Sequence, residues 1–380
     1  MYFADYHHPE LIEDLWWGEI EATYTAEETG DFEFELYVFG TARLYVDGEL
    51  LIDNETVQRP GGSFFNVGTV EETCVKSVVA GQSHQIKILF ASGAASKLKN
   101  ADGVVSFGSG GVRIGGAMVI DADQEIQRAV ELASSVDQVV LFVGLNSDFE
   151  QERHDRPHMD LPGRSDDLVS AVARANPRTV VVVQSGTPVN MPWASSVAAV
   201  VQAWYGGNEL GAAIADMLFD DANPSGKPPL SFPLRVEDNP AYLNYSSERG
   251  RMLYGEDIYV GYRFDETTKK PVHWSFGWGL SYTSFSLSGL KVSDNAGDSQ
   301  LRVEVAVRNT GDVDGAEVVQ VYVSQRFCVE KKYATSFWDE SRHQWTEEAG
   351  VYDVWVGASG SGDLLQGSCT VDSTRWWSGL

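Results

Sequence analysis

Gln138-Val139-Val140-Leu141-Phe142-Val143-Gly144 is an unbroken apolar run that ends on a glycine. A strand wetted on one face alternates apolar and polar residues. A run apolar at every position suits a strand buried on both faces, as in a parallel sheet. The next such run, Thr179-Val180-Val181-Val182-Val183-Gln184, reads the same way, and Val197 to Trp204 gives a third. Between them the period changes to that of helices. Asp123 can cap a helix over 124–133, a second is predicted over 166–175, and a third over 209–218. Strand and helix alternate, so residues 121–283 read as a layered α/β domain with a mostly parallel sheet. Function in such a domain belongs to loops at the C-terminal ends of strands. The loop directly after the first run, residues 144–157, carries Asp148, Glu150, Glu152 and Asp155.

Working outward, residues 1–120 read as all-β. Phe32-Glu33-Phe34-Glu35-Leu36-Tyr37-Val38 alternates with period two. Residues 42–46 and 50–52 flank Asp47-Gly48, a hairpin signal, and 84–90 gives a further strand. Glycines at 108–111 and 115–116 are read as loops. Residues 284–380 return to period two at 301–307, 317–323 and 352–357, with a turn at Asn309-Thr310-Gly311-Asp312, and predict a small immunoglobulin-like sandwich.

The chain of 380 residues is long enough for two or three domains. Asp and Glu number 55 against 28 Lys and Arg, a net charge of −27 that repels nucleic acid and anionic membranes and suits a neutral substrate. No apolar window is long enough to span a bilayer. Met1 to His8 has neither a basic nor an apolar signal-peptide region, so no signal peptide is expected in this chain. Three widely spaced cysteines exclude a disulfide scaffold and a zinc site, and permit at most one bridge, with Cys328 and Cys369 a candidate pair. Asn54 and Asn244 head N-x-S/T sequons and are candidate glycosylation sites. His154 and His158 are spaced i, i+4 near Glu152, but Pro157 spoils a helix there, so no metal site is expected. No serine elbow, P-loop or dinucleotide motif is present, and no cofactor is implied.

The middle region carries a series of blocks. Residues 145–157 lead to Leu161-Pro162-Gly163, followed by Ser185-Gly186-Thr187-Pro188-Val189 and Trp204-Tyr205-Gly206-Gly207-Asn208-Glu209. Then come Asn223-Pro224-Ser225-Gly226-Lys227, Tyr254-Gly255-Glu256-Asp257 to Arg263, and Phe276-Gly277-Trp278-Gly279-Leu280. In this order they resemble the second catalytic domain of family-three glycoside hydrolases, in the fungal-type β-glucosidases. Residues 1–120 are similar to a PA14 domain, inserted into that second domain in one fungal branch and here starting late. Residues 284–380 are similar to the fibronectin-III-like domain that closes these enzymes, here shortened between Val323 and Tyr333. The family's N-terminal (β/α)8 barrel, which holds the nucleophilic Asp, has no counterpart in these residues.

The resemblance implies hydrolysis of terminal non-reducing β-D-glucosyl residues with retention. That chemistry takes two carboxyls about 5–5.5 Å apart, one attacking the anomeric carbon and one serving as acid and then base. Matching position by position puts Glu152 on the acid/base, with Glu150 the second candidate. Arg153 stands where the family has Gly, and a cation there lowers a neighbouring carboxyl's pKa. Read without the resemblance, the same loop is better taken as a solvated acidic surface than as a catalytic one. Trp204 and Tyr205 end a strand and are candidates equally for the walls of a sugar site and for core packing. A structural role is expected for Glu256 and Asp257, and a helix start for Asn208 and Glu209. The implied partners are a β-glucoside or cello-oligosaccharide and a barrel domain in the full-length protein, and the implied address is extracellular. Without the barrel the chain is expected to show no turnover. The competing readings are a non-catalytic PA14-type carbohydrate-binding protein and a non-functional fragment.

Overall fold

The computed structural model describes residues 1–3, 8–10, 15–62, 64, 67–98, 109–151, 155–295, 300–325, 336–360 and 362–378. The chain divides into two compact units. One comprises residues 1–135 with 146–156, the other 136–145 with 157–380.

In the first unit lie β1 (Trp17–Thr25), β2 (Gly30–Phe39), β3 (Thr41–Val46), β4 (Glu49–Asn54), β5 (Glu72–Val78), β6 (Ser83–Ala91), β7 (Gly111–Met118) and α1 (Ala122–Ser135). Two antiparallel sheets form, ordered β1-β6-β3-β4 and β5-β2-β7. Their inward rows share one core: Phe34, Leu36 and Val38 from β2 meet Leu44 and Val46 from β3 and Ile86, Ile88 and Phe90 from β6. The period-two reading of 32–38 thus gave the correct inward face. The Asp47-Gly48 turn has both residues at positive φ, 54° and 81°, as the tight hairpin requires.

Two expectations fail here. Gly111, Gly115 and Gly116 are not in a loop but in β7, paired with β2. A Cβ at Gly116 would lie 2.4 Å from the Phe32 ring, so glycine is what lets this strand close onto an aromatic row. The cap of α1 is Asp121 rather than Asp123: its Oδ1 accepts from the Asp123 and Gln124 amides at 3.0 and 3.3 Å.

The second unit holds β8 (Val139–Gly144), α2 (Ser165–Ala175), β9 (Thr179–Gln184), β10 (Ala199–Gln202) and α3 (Leu210–Leu218). Among the described residues β10-β9-β8 form a parallel sheet with β9 at its centre, and Val181, Val182 and Val183 are fully buried. Leu145, Leu161, Val169, Met191, Trp193 and Phe232 pack with it. The unit continues through β11 (Phe232–Pro233), α4 (Tyr262–Thr268) and β12 (Val272–Trp274).

Last come β13 (Phe285–Asn295), β14 (Gln300–Asn309), β15 (Gln320–Gln325), β16 (Phe337–Asp339), β17 (Gln344–Glu347), β18 (Gly350–Gly357), β19 (Leu365–Val371) and β20 (Arg375–Trp377). Their sheets are antiparallel, ordered β13-β14, β15-β18-β19 and β16-β17-β20. Asn309 makes the foreseen turn, its Oδ1 accepting from the Gly311 amide and the Thr283 hydroxyl. Lys227 Nζ stands 3.1 Å from Glu317 and 3.0 Å from the Gly279 carbonyl, with the two charged side chains 8% and 9% exposed. Cys369 is buried on β19, while Cys328 and the rest of 326–335 lie outside the described residues. Among the described residues no helix is long and apolar enough to cross a membrane.

Candidate active site

Gly144 ends β8 where a Cβ would meet the Gln184 carbonyl at 2.1 Å, so only glycine lets the strand end approach β9 this closely. Leu145 then donates its amide to that same carbonyl at 2.8 Å. From here the acidic loop leaves the C-terminal end of the parallel strand, the place where α/β folds put chemistry. Asn146 organises its start. The Asn146 carbonyl accepts from the amides of Phe149 (3.0 Å) and Glu150 (2.9 Å), and its Oδ1 accepts from Asp148 (2.9 Å). This turn leaves Glu150 half-buried and Asp148 exposed. Glu152, Arg153 and His154 lie outside the described residues, so of the two acid/base candidates the structure describes Glu150 alone.

The loop belongs to the first unit, and its contacts there are with the outward row of the β5-β2-β7 sheet. Arg113 Nη1 is 3.4 Å from Asp148 Oδ1, and the same guanidinium sits 5.4 Å from the centre of the Tyr37 ring. Beside it, burial and a hydrogen bond with Glu71 push the Glu35 carboxyl above the usual range. Tyr37 is likewise pushed up, first by burial and then by Glu71. Among the described residues the start of the loop is thus met by one cation, Arg113, beside which one carboxyl, Glu35, resists ionisation. Sequence reading missed Arg113 because its stretch looked like a glycine loop. Tyr37 and Glu35 were legible only as outward positions of an alternating strand.

Tyr205 and Trp204 part company. Tyr205 is 48% exposed and its hydroxyl donates to the Leu145 carbonyl at 3.3 Å, at the root of the acidic loop. Trp204 takes a positive φ of 55° and packs into the core, its ring 6.2 Å from Phe232. Asn208 and Glu209 lie in a short 3-10 turn leading into α3. Glu256 accepts from the Asn244 amide at 3.3 Å, which gives it a structural partner.

Asn54 is fully buried, and its amide nitrogen donates to Thr69 Oγ1 and the Leu36 carbonyl. No glycan can be joined to that nitrogen in the folded domain. Of the histidine pair, His158 lies 3.6 Å from Asp160. Among the described residues no three His, Cys, Asp or Glu side chains gather as a metal-holding group.

The chain is 47% identical over its whole length to the "Probable beta-glucosidase I" of Aspergillus clavatus and 46% identical to the "Probable beta-glucosidase J" of Aspergillus fumigatus. It spans about half the length of these curated relatives, 49% and 48%. The crystal structure of the Kluyveromyces marxianus β-glucosidase in complex with glucose superposes on all of this chain and 48% of its own, with a TM-score of 0.90 at 40% identity. Residues 35–262 match the model of the glycosyl hydrolase family 3 C-terminal domain, and the chain belongs to that family.

Proposed function

We propose that this chain is the acid/base half of a retaining β-glucosidase. The observation that carries this reading is the acidic loop issuing from the C-terminal end of β8, in a chain matched along its whole length by proteins named β-glucosidases. In this reading Glu152 protonates the leaving oxygen of a terminal β-D-glucoside and then activates water, with Glu150 the alternative. The nucleophilic carboxylate comes from a barrel domain in the half that the longer relatives carry. Tyr205, at the loop root, contributes to the sugar site. The β domain that opens the chain is of PA14 type, and the closing β region of fibronectin-III type. The enzyme acts outside the cell, and Asn244 remains the one candidate for glycosylation.

Surface exposure supports a missing complement. Leu243 is 90% exposed, Tyr254 81%, Leu253 68% and Met252 61%, all within a dozen residues of irregular chain. A patch of this kind is covered in a complete protein.

The test is hydrolysis of an aryl β-D-glucoside by the chain alone and by the chain joined to the N-terminal half of the Kluyveromyces marxianus enzyme. The chain alone is expected to be inactive and the fusion active. Glu152→Gln in the fusion should lower kcat by at least about 100-fold, the usual weight of general acid–base catalysis. It should also remove the alkaline limb of the pH profile. If Glu150→Gln does this and Glu152→Gln does not, the roles are exchanged. Turnover by the chain alone would overturn the half-enzyme reading.

A further inference from the structure

The acidic loop leaves the end of β8, a strand of the second unit, yet residues 146–156 gather with the β domain of the first. Among the described residues the loop is tied there by the ion pair of Asp148 with Arg113. Strand register sets the cation. Val112 fills the core, so by alternation Arg113 faces outward, directly across from Tyr37 on β2. Its neighbours along that face, Gly111 and Gly115, carry no side chains. The guanidinium is thus free to lie over the Tyr37 ring, and it does so 5.4 Å from the ring centre.

An exposed ion pair by itself contributes little. Two features strengthen this one. The ring steadies the cation before it meets Asp148, so less freedom is lost on pairing. The carboxyls beside it, Glu35 and Glu71, hydrogen-bond to each other, and Glu35 resists ionisation. A neutral carboxyl attracts a guanidinium weakly, which favours Asp148 as the partner. Asp148 in turn belongs to an ordered turn. Its amide donates to Asn146 Oδ1, and the Asn146 carbonyl accepts from the amides of Phe149 and Glu150. Holding Asp148 therefore holds the turn 146–150, which carries Glu150 and leads directly to Glu152.

We propose that Arg113 is a positioning residue for the acid/base loop: through its pair with Asp148 the β domain holds the catalytic carboxyl where it reaches the leaving oxygen. The proposal rests on the reading of this loop as the acid/base element. Catalysis is steep in geometry, and a displacement of about 1 Å costs up to about 100-fold in rate. In this role Arg113 touches no reacting atom and acts only by way of the loop. Its effect therefore falls on the step that needs the proton, the departure of a poor leaving group. A dinitrophenolate is stable enough to depart with little help from an acid.

The test compares Arg113→Gln, Arg113→Lys, Asp148→Asn and the double variant Arg113→Gln with Asp148→Asn. Both side chains are exposed, so each variant should melt as the parent does, and a melting curve checks this. In the chain alone, amide hydrogen exchange over 146–151 should quicken about tenfold in Arg113→Gln and in Asp148→Asn, with the double variant no faster than either. In the fusion, Arg113→Gln should lower kcat/KM for phenyl β-D-glucoside at least about tenfold and leave that for the 2,4-dinitrophenyl glucoside within about twofold. Arg113→Lys, which keeps the charge but not the planar fork, should recover part of the loss. Unchanged exchange, or additive effects in the double variant, overturns the proposal. So does an equal loss on both glucosides, because the residue would then serve the fold alone. Leaving-group dependence in Glu152→Gln or Glu150→Gln without it in Arg113→Gln sinks this proposal and spares the acid/base reading. Its absence from both glutamate variants sinks that reading. If the fusion turns over neither glucoside, the half-enzyme reading falls, and the exchange measurement still decides whether Arg113 holds the loop.

Discussion

Glu35 points outward from β2 beside Glu71, and burial followed by that hydrogen bond raises its pKa. The sign of the consequence is fixed by linkage. A carboxyl that ionises less readily folded than unfolded costs the native state stability as pH rises through the unfolded value, about 4.3, toward the folded one. Glu35→Gln removes the ionisation. The variant should therefore melt higher than the parent at pH 7, by about 1–3 °C, with the difference vanishing below pH 4. Differential scanning calorimetry across that range checks it, and an equal offset at every pH would show that charge is not the cause. At this same scale the sequence was least informative. The carboxylates of the acidic loop were visible as residue types at a strand end. Arg113, which meets Asp148 35 positions further on, was not, because pairings across that separation are decided by strand register. Asn54 shows the converse: a sequon is a local pattern, and burial is not.

At the scale of elements, legibility followed periodicity. Strands β2, β3, β6, β8, β9, β14 and β18 and helices α1, α2 and α3 were expected close to where they lie, because each has a clean period of two, an unbroken apolar run or a helical repeat. Strand β7 was lost because its glycines mimic a loop, and β1 and β5 because their alternation carries charged and small residues that read as surface. The link between the α/β region and the closing β region was also invisible, since Lys227 and Glu317 are far apart in sequence. That pair makes a sharp prediction. Removing one partner leaves a buried charge uncompensated, at a cost of about 3–5 kcal/mol. Lys227→Met should lower the unfolding midpoint of the second unit sharply, while Lys227→Met with Glu317→Leu recovers most of the loss. Denaturant titration of the two variants decides it, and no recovery in the double variant would refute the pairing as the cause.

At the scale of the whole molecule, the exposed stretch from Leu243 to Tyr254 should govern the behaviour of the isolated chain. It is expected to bind a hydrophobic dye and to self-associate as concentration rises. Replacing Leu253 and Tyr254 together by Ser should lower both signals, as read by dye fluorescence and sedimentation velocity. Unchanged signals would place the sticky surface elsewhere.

The order of the two units along the chain has a further consequence, for synthesis. Residues 136–145 of the second unit are made before residues 146–156, which complete the first. As the chain emerges from the ribosome the first unit is therefore complete only after strand β8 has also been released. The acidic loop is the last piece of the first unit to arrive, so a nascent chain arrested before residue 146 would hold a β domain whose Arg113 still awaits Asp148.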